Sequence, residues 1–100
     1  MKIMIHSPFD TGDYLRNLID EKVRKLNHFF HPIERVDVYL KNELKDRDAG
    51  KIVEMRVHIP GREVFAVEGS SKFEIAVQET FAKMKAQLQK QKSRWQEVRG

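Results

Sequence analysis

The chain reads as a single α+β domain of order β-α-β-β-β-α: a four-stranded sheet with two helices packed on one of its faces. Three observations predict it. Two long segments, 13–30 and 72–94, repeat apolar residues at steps of three and four, the helical period. Four shorter segments alternate apolar and polar residues, the strand period. Two amphipathic helices need cover for their apolar stripes, and one face of a sheet covers both economically. A length of 100 residues suits one core, and no repeat, linker or low-complexity stretch divides it.

The first strand is residues 2–7, with Ile3 and Ile5 on one side; Pro8 then interrupts regular pairing. Asp10, Thr11 and Gly12 make a turn, and either Asp10 or Thr11 can cap the helix that follows. From Asp13 to about Phe30, Leu15, Leu18, Ile19, Val23, Leu26, Phe29 and Phe30 share one helical face. Acids Asp13, Asp20 and Glu21 precede the bases Lys22, Arg24 and Lys25, an order that suits the helix dipole. Pro32 stops the helix near Phe30 or His31.

Three strands come next. Val36, Val38 and Leu40 alternate with Asp37, Tyr39 and Lys41. Val53, Met55, Val57 and Ile59 alternate with Glu54, Arg56 and His58. Val64, Ala66 and Glu68 alternate with Phe65 and Val67. Period two means one core face and one wetter face for each. A polar stretch, 42–51, makes the first connection, and Pro60-Gly61 makes a tight hairpin for the second. Gly69-Ser70-Ser71 ends the last strand and offers a serine cap to the second helix, whose stripe is Phe73, Val77, Phe81, Met84, Leu88, Gln91 and Trp95.

Composition excludes several classes of function. Hydrophobic residues make up 40% and charged residues 34%, too apolar for a disordered tail and too polar for a membrane protein. No apolar run approaches the roughly 20 residues a spanning helix needs. The N-terminal stretch is too short in apolar residues for a signal peptide, so a cytoplasmic location is expected. With zero cysteines there is no disulfide scaffold, cysteine zinc site or thiol nucleophile.

The charge is concentrated. The net is +4, yet residues 83–100 hold Lys83, Lys85, Lys90, Lys92, Arg94 and Arg99 against Glu97 alone, so the other 82 residues sum to about −1. Local positive density of this kind suits a polyanion, most often nucleic acid. At 100° per residue, Lys83, Lys90 and Arg94 fall within roughly 40° of one another, and Lys85, Lys92 and Arg99 form a second column beyond the outward-facing Ala82, Ala86, Gln89 and Ser93. On the first helix Arg24, Lys25 and His28 point outward with Lys22 at the edge. If the helices lie side by side, both basic sets share one layer and one surface. The competing reading is a solvated helix face with bases for solubility; the shortage of interleaved acids argues against it.

Other constellations carry less. His28 and His31 stand at metal spacing, but His31 sits at the helix end with no third ligand beside it in sequence, while His6 and His58 meet only through the sheet. The pairs Asp46/Asp48 and Asp20/Glu21 lie in a polar loop and on a solvated helix face, which is poor ground for acid–base catalysis. No glycine loop for phosphate is present; Gly50, Gly61 and Gly69 stand singly at turns. Tyr39 and Phe65 belong either to the open sheet face, where aromatics can stack bases, or to edge packing, which is the preferred reading.

Taken in order, the residues resemble a family. The stretches that carry it are Leu15-Arg16 to Lys22, Lys25-Leu26 and Phe29; Ile33, Val36 and Val38-Tyr39-Leu40-Lys41; and Glu68-Gly69 through Phe73-Glu74-Ile75-Ala76-Val77 to Lys83-Met84, Gln87-Leu88 and Lys90. Together they resemble the short ribosome hibernation-promoting factors and ribosome-associated inhibitors, also called sigma-54 modulation proteins. The resemblance implies a fold similar to a double-stranded-RNA-binding domain with an added first strand. It implies no enzymatic activity and no cofactor or metal. It also implies a partner, the small ribosomal subunit with its 16S rRNA, bound in the channel of messenger and transfer RNA so that translation is blocked in stationary phase or stress. No membrane and no small-molecule substrate are expected. By position the implied rRNA contacts are Lys22, Lys25, Lys83 and Lys90; helical geometry adds Arg24, His28, Lys85, Lys92 and Arg94. Two positions depart from the family pattern: Ala86 stands where an arginine is frequent, and Lys72 where an acid is usual. Residues 1–100 are read as one ribosome-binding domain of the short form, without a C-terminal dimerisation domain or the acidic tail of the inhibitor subtype. The alternatives are a generic double-stranded-RNA-binding module, or a small α+β oligomer or enzyme with no nucleic-acid role.

Overall fold

A computed structural model of the chain describes residues 1–30 and 32–99, with the backbone alone for 93–99. Its elements are β1 (Lys2–His6), α1 (Gly12–Phe29), β2 (Arg35–Asn42), β3 (Lys51–Ile59), β4 (Arg62–Ser70) and α2 (Phe73–Arg99), in the expected order. The strands form one sheet in sequence order. β1 runs parallel to β2, which needs a crossover, and α1 supplies it; β2, β3 and β4 are antiparallel.

Register places like with like. Val36 pairs with Val57 and Val57 with Val64; Val38 pairs with Met55 and Met55 with Ala66. These rows are buried, and Leu15, Ile19, Val23 and Leu26 of α1 with Ala76, Val77, Phe81, Met84 and Leu88 of α2 close over them. Each of the larger side chains, the alanines aside, contributes about 1.5–3 kcal/mol by leaving water. Thr80 is the polar member of this layer. Its hydroxyl lies 2.7 Å from the Ala76 carbonyl and 3.2 Å from the Val53 carbonyl, so a single proton ties α2 to itself or to β3.

The connections are ordered by specific groups. Pro60-Gly61 joins β3 to β4, and Gly61 takes φ +74°, where a side chain is disfavoured. In the loop 43–50 the Glu43 amide donates to the Gly50 carbonyl at 2.7 Å, and Asp46 Oδ1 accepts the amides of Asp48 and Ala49. Gly50 is buried there, and a side chain on it would collide with the carbonyls of Glu43 and Asp46.

One local expectation is decided and two change. Asp10 Oδ1 accepts the Gly12 amide at 3.0 Å, while Thr11, at the N-cap position of α1, makes no cap hydrogen bond. The first helical bond of α2 runs from the Ala76 amide to the Lys72 carbonyl, so Lys72 occupies the cap position in place of the expected Ser70 or Ser71. At the end of α1, Phe30 turns inward against the core and Phe29 turns outward, 57% exposed, although periodicity had placed both on the buried stripe.

Candidate nucleic-acid interface

Two helical stripes of the same spacing face each other across the outer surface. On α1 these are Lys22, Lys25, Leu26 and Phe29; on α2 they are Gln78, Phe81, Ala82 and Lys85. Each set follows the i, i+3, i+4, i+7 rule for one face of a helix. Side by side, with Phe30, they line an open cleft of about 200 Å³. Leu26 and Phe81 are its buried floor, and three ammonium groups stand on its rim. Lys85 reaches across from α2, its Nζ 5.7 Å from the centroid of the Phe29 ring. His28 meets the same ring edge-on at 5.1 Å between centroids.

The charges around this cleft are weakly spoken for. Lys25 pairs with Glu21 at 3.4 Å and Arg24 with Asp20 at 2.8 Å, both i, i+4 pairs on an exposed surface. Such pairs are worth a few tenths of a kcal/mol, about 0.3–0.5, and yield easily to a phosphate. Among the described residues, no carboxylate pairs with Lys22 or Lys85.

The remaining basic residues divide between two flanks of α2. Lys83 points to the edge strand β4, where its Nζ lies 3.1 Å from Glu68. One turn on, the Gln87 amide donates to the Phe65 carbonyl at 2.8 Å, and Arg62 donates to Gln91 at 2.9 Å. Lys90, seven residues past Lys83, stays on this flank, and Lys92, seven past Lys85, stays on the cleft flank; both are exposed. The expectation that both basic sets share one surface is thus corrected. Lys22, Lys25 and Lys85 come together, with Lys92 further along and Arg24 and His28 beside them, while Lys83 and Lys90 stand apart at the sheet edge. The side chains of Arg94 and Trp95, and His31 altogether, lie outside the described residues.

The uncovered face of the sheet is built differently. Asp37, flanked in sequence by two core valines, is buried on it at 4% exposure. Its carboxylate accepts from His6 and His58, each at 2.9 Å, and from two nitrogens of Arg35 at 2.9 and 3.0 Å. Burial pushes this carboxyl up, but the hydrogen bonds from Arg35, His6 and His58 outweigh it and hold the group well below the usual carboxylate range. The two histidines do meet through the sheet, but on an acid whose oxygens they share with an arginine; among the described residues no three His, Asp or Glu side chains stand together as metal ligands. Beside them Arg56 lies between Tyr39 and Phe65, 5.4 and 5.8 Å from their centroids, and near Glu54 and Glu63. Tyr39 also stacks on His6 at 4.4 Å. Both aromatics therefore occupy the open face, packed on Arg56: Tyr39 on the inner strand β2, and Phe65 on the edge strand β4, where the two readings coincide.

The family model for "Sigma 54 modulation protein / S30EA ribosomal protein" matches residues 3–96. The chain belongs to that family. Among solved structures, a ribosomal subunit interface protein from Coxiella burnetii superposes with a TM-score of 0.77 at 24% identity, over 93% of this chain and 99% of that one. The N-terminal domain of Protein Y from Thermus thermophilus superposes with a TM-score of 0.71 at 19% identity, over 89% of this chain and 93% of that one. At these identities the likeness concerns the fold, the β-α-β-β-β-α arrangement with two helices over one mixed sheet. No curated protein matches significantly.

Two residues escaped the sequence reading. Periodicity places Phe29 in the core because it cannot see that the helix ends there. Alternation places Asp37 on a wet face; its only signal is an acid within a strand whose register partners carry Arg56 and, two pairs along, His58.

Proposed function

We propose that this protein is a non-enzymatic, cytoplasmic, ribosome-associated translation inhibitor. It binds 16S rRNA of the small subunit in the channel used by messenger and transfer RNA, and blocks that channel by occupying it, under stress or in stationary phase. Residues 1–100 act as one ribosome-binding domain. The observation that carries this reading is the cleft between α1 and α2, with Lys22, Lys25 and Lys85 on its rim, in a chain that belongs to the S30EA family. Ammonium groups neutralise rRNA phosphates there, and the sheet beneath sets their spacing. The names of the structural relatives, a ribosomal subunit interface protein among them, support the choice of partner.

The test is sedimentation with purified small subunits over a series of salt concentrations, beside translation in vitro. Neutralising about five phosphates gives a log–log slope of roughly three to five. Translation should fall as the subunits fill. Equal affinity for any RNA duplex would replace this reading with a generic double-stranded-RNA binder, and a slope near zero would remove the electrostatic mechanism.

A further inference from the structure

We propose that the interhelical cleft receives one unpaired nucleobase of the bound RNA, stacked on Phe29, while Lys22, Lys25 and Lys85 hold the neighbouring phosphates. This rests on the reading of the protein as an rRNA binder and specifies what its basic cleft takes.

Phe29 presents its ring at the mouth of the cleft, 57% exposed, where an apolar side chain gains little from the fold. Leu26 and Phe81 make the floor behind it apolar, and lysines rise from both helices around it. An apolar occupant would answer none of the three ammonium groups, of which Lys25 alone has a carboxylate neighbour, Glu21, among the described residues. An acidic peptide would answer them and leave the ring bare. A nucleotide supplies both a flat π face and an anion, at the short separation the cleft offers. Paired bases in an RNA helix are stacked within it and present no such face, so the base must be unpaired. The Lys85 ammonium, 5.7 Å from the ring centroid, covers the ring in the free protein, the place a base would take. Its flexible stem lets the head move to a phosphate as a base arrives.

The two contributions separate by salt. Stacking is nearly independent of ionic strength, whereas each phosphate contact adds to the slope. Binding is measured for the parent chain, Phe29→Ala, Phe29→Trp and Lys85→Gln. The probes are purified small subunits and two RNA hairpins, each stem closed by a non-nucleotide linker, that differ only by one bulged adenosine. Thermal melting followed by circular dichroism confirms that each variant folds. Phe29→Ala should weaken binding to the subunit and to the bulged hairpin by roughly 5- to 100-fold, with an unchanged salt slope. It should leave the fully paired hairpin untouched, and Phe29→Trp should restore the bulge preference. Lys85→Gln should weaken both hairpins and lower the slope by about one. The proposal is overturned if Phe29→Ala binds subunit and bulged hairpin as the parent does, or if it weakens both hairpins equally. A parent that prefers the bulged hairpin through Phe29 yet ignores the subunit would keep the base receptor and remove the ribosomal reading. A parent that binds no probe removes both.

Discussion

The open face of the sheet and the cleft between the helices hold similar numbers of basic side chains and put them to opposite uses. On the sheet, Arg35 and two histidines share Asp37, and Arg56 is taken up by two glutamates and two aromatic rings. Those groups answer one another and fasten neighbouring strands. In the cleft, Lys22 and Lys85 have no carboxylate partner among the described residues, and Lys25 has only an exposed neighbour one turn away. Charge density alone therefore does not mark a polyanion site. What marks it is positive charge that the fold has left unanswered.

The sharpest way to break the comparison is to reverse the cleft. Lys22→Glu, Lys25→Glu and Lys85→Glu together should cost roughly a hundredfold or more in affinity for the small subunit, because each change removes an attraction and adds a repulsion. The thermal midpoint should hardly move. Normal binding by this triple variant would mean that the interface lies elsewhere. A control belongs in the loop 43–50, and Asp48→Lys suits it better than Asp46→Lys, since Asp46 accepts two backbone amides.

Phe81 joins the cleft to the core. At 5% exposure, its replacement by Ala should cost about 3–5 kcal/mol in denaturant unfolding. A cost below about 1 kcal/mol would mean that α2 is rotated from the orientation described.

The sheet face should answer to pH. Asp37 is held below its ordinary range when folded, so the stability it supplies is complete above the unfolded pKa and is lost as the pH falls. Unfolded Asp titrates near about 3.9, so the loss should begin around pH 4 and grow on further acidification. Asp37→Asn should cost about 2–3 kcal/mol near neutrality and flatten this acid limb. An acid limb identical to the parent's would show that another carboxylate controls it. Subunit affinity at neutral pH should be kept, as this face is built for the fold.

The smallest effect is expected at the sheet edge. Lys83→Gln with Lys90→Gln should change stability by less than about 1 kcal/mol, because the Lys83–Glu68 pair is half-exposed. It should weaken ribosome binding less than neutralising Lys22 and Lys85 does. The reverse ranking would move the interface from the cleft to the β4 flank.

Much of this architecture was legible in the chain itself. The order β-α-β-β-β-α, the valine rows of the sheet, the Pro60-Gly61 corner and the stripe from Val77 to Leu88 follow from periods of two and 3.6, which are local properties of the backbone. So does the angle of nearly 200° between Lys83 and Lys85. What periodicity cannot state is which neighbour fills a given angle. Only the packing of α2 beside α1 turned Lys85 toward Phe29 and left Lys83 to the edge strand. Only the end of α1 turned Phe30 in and Phe29 out. Only the pairing of β1 and β3 on either side of β2 brought His6 and His58 to Asp37. A helix or strand pattern repeats along one axis, whereas a cleft or a buried carboxylate needs the relative placement of two or three, and that exists only once the chain has folded.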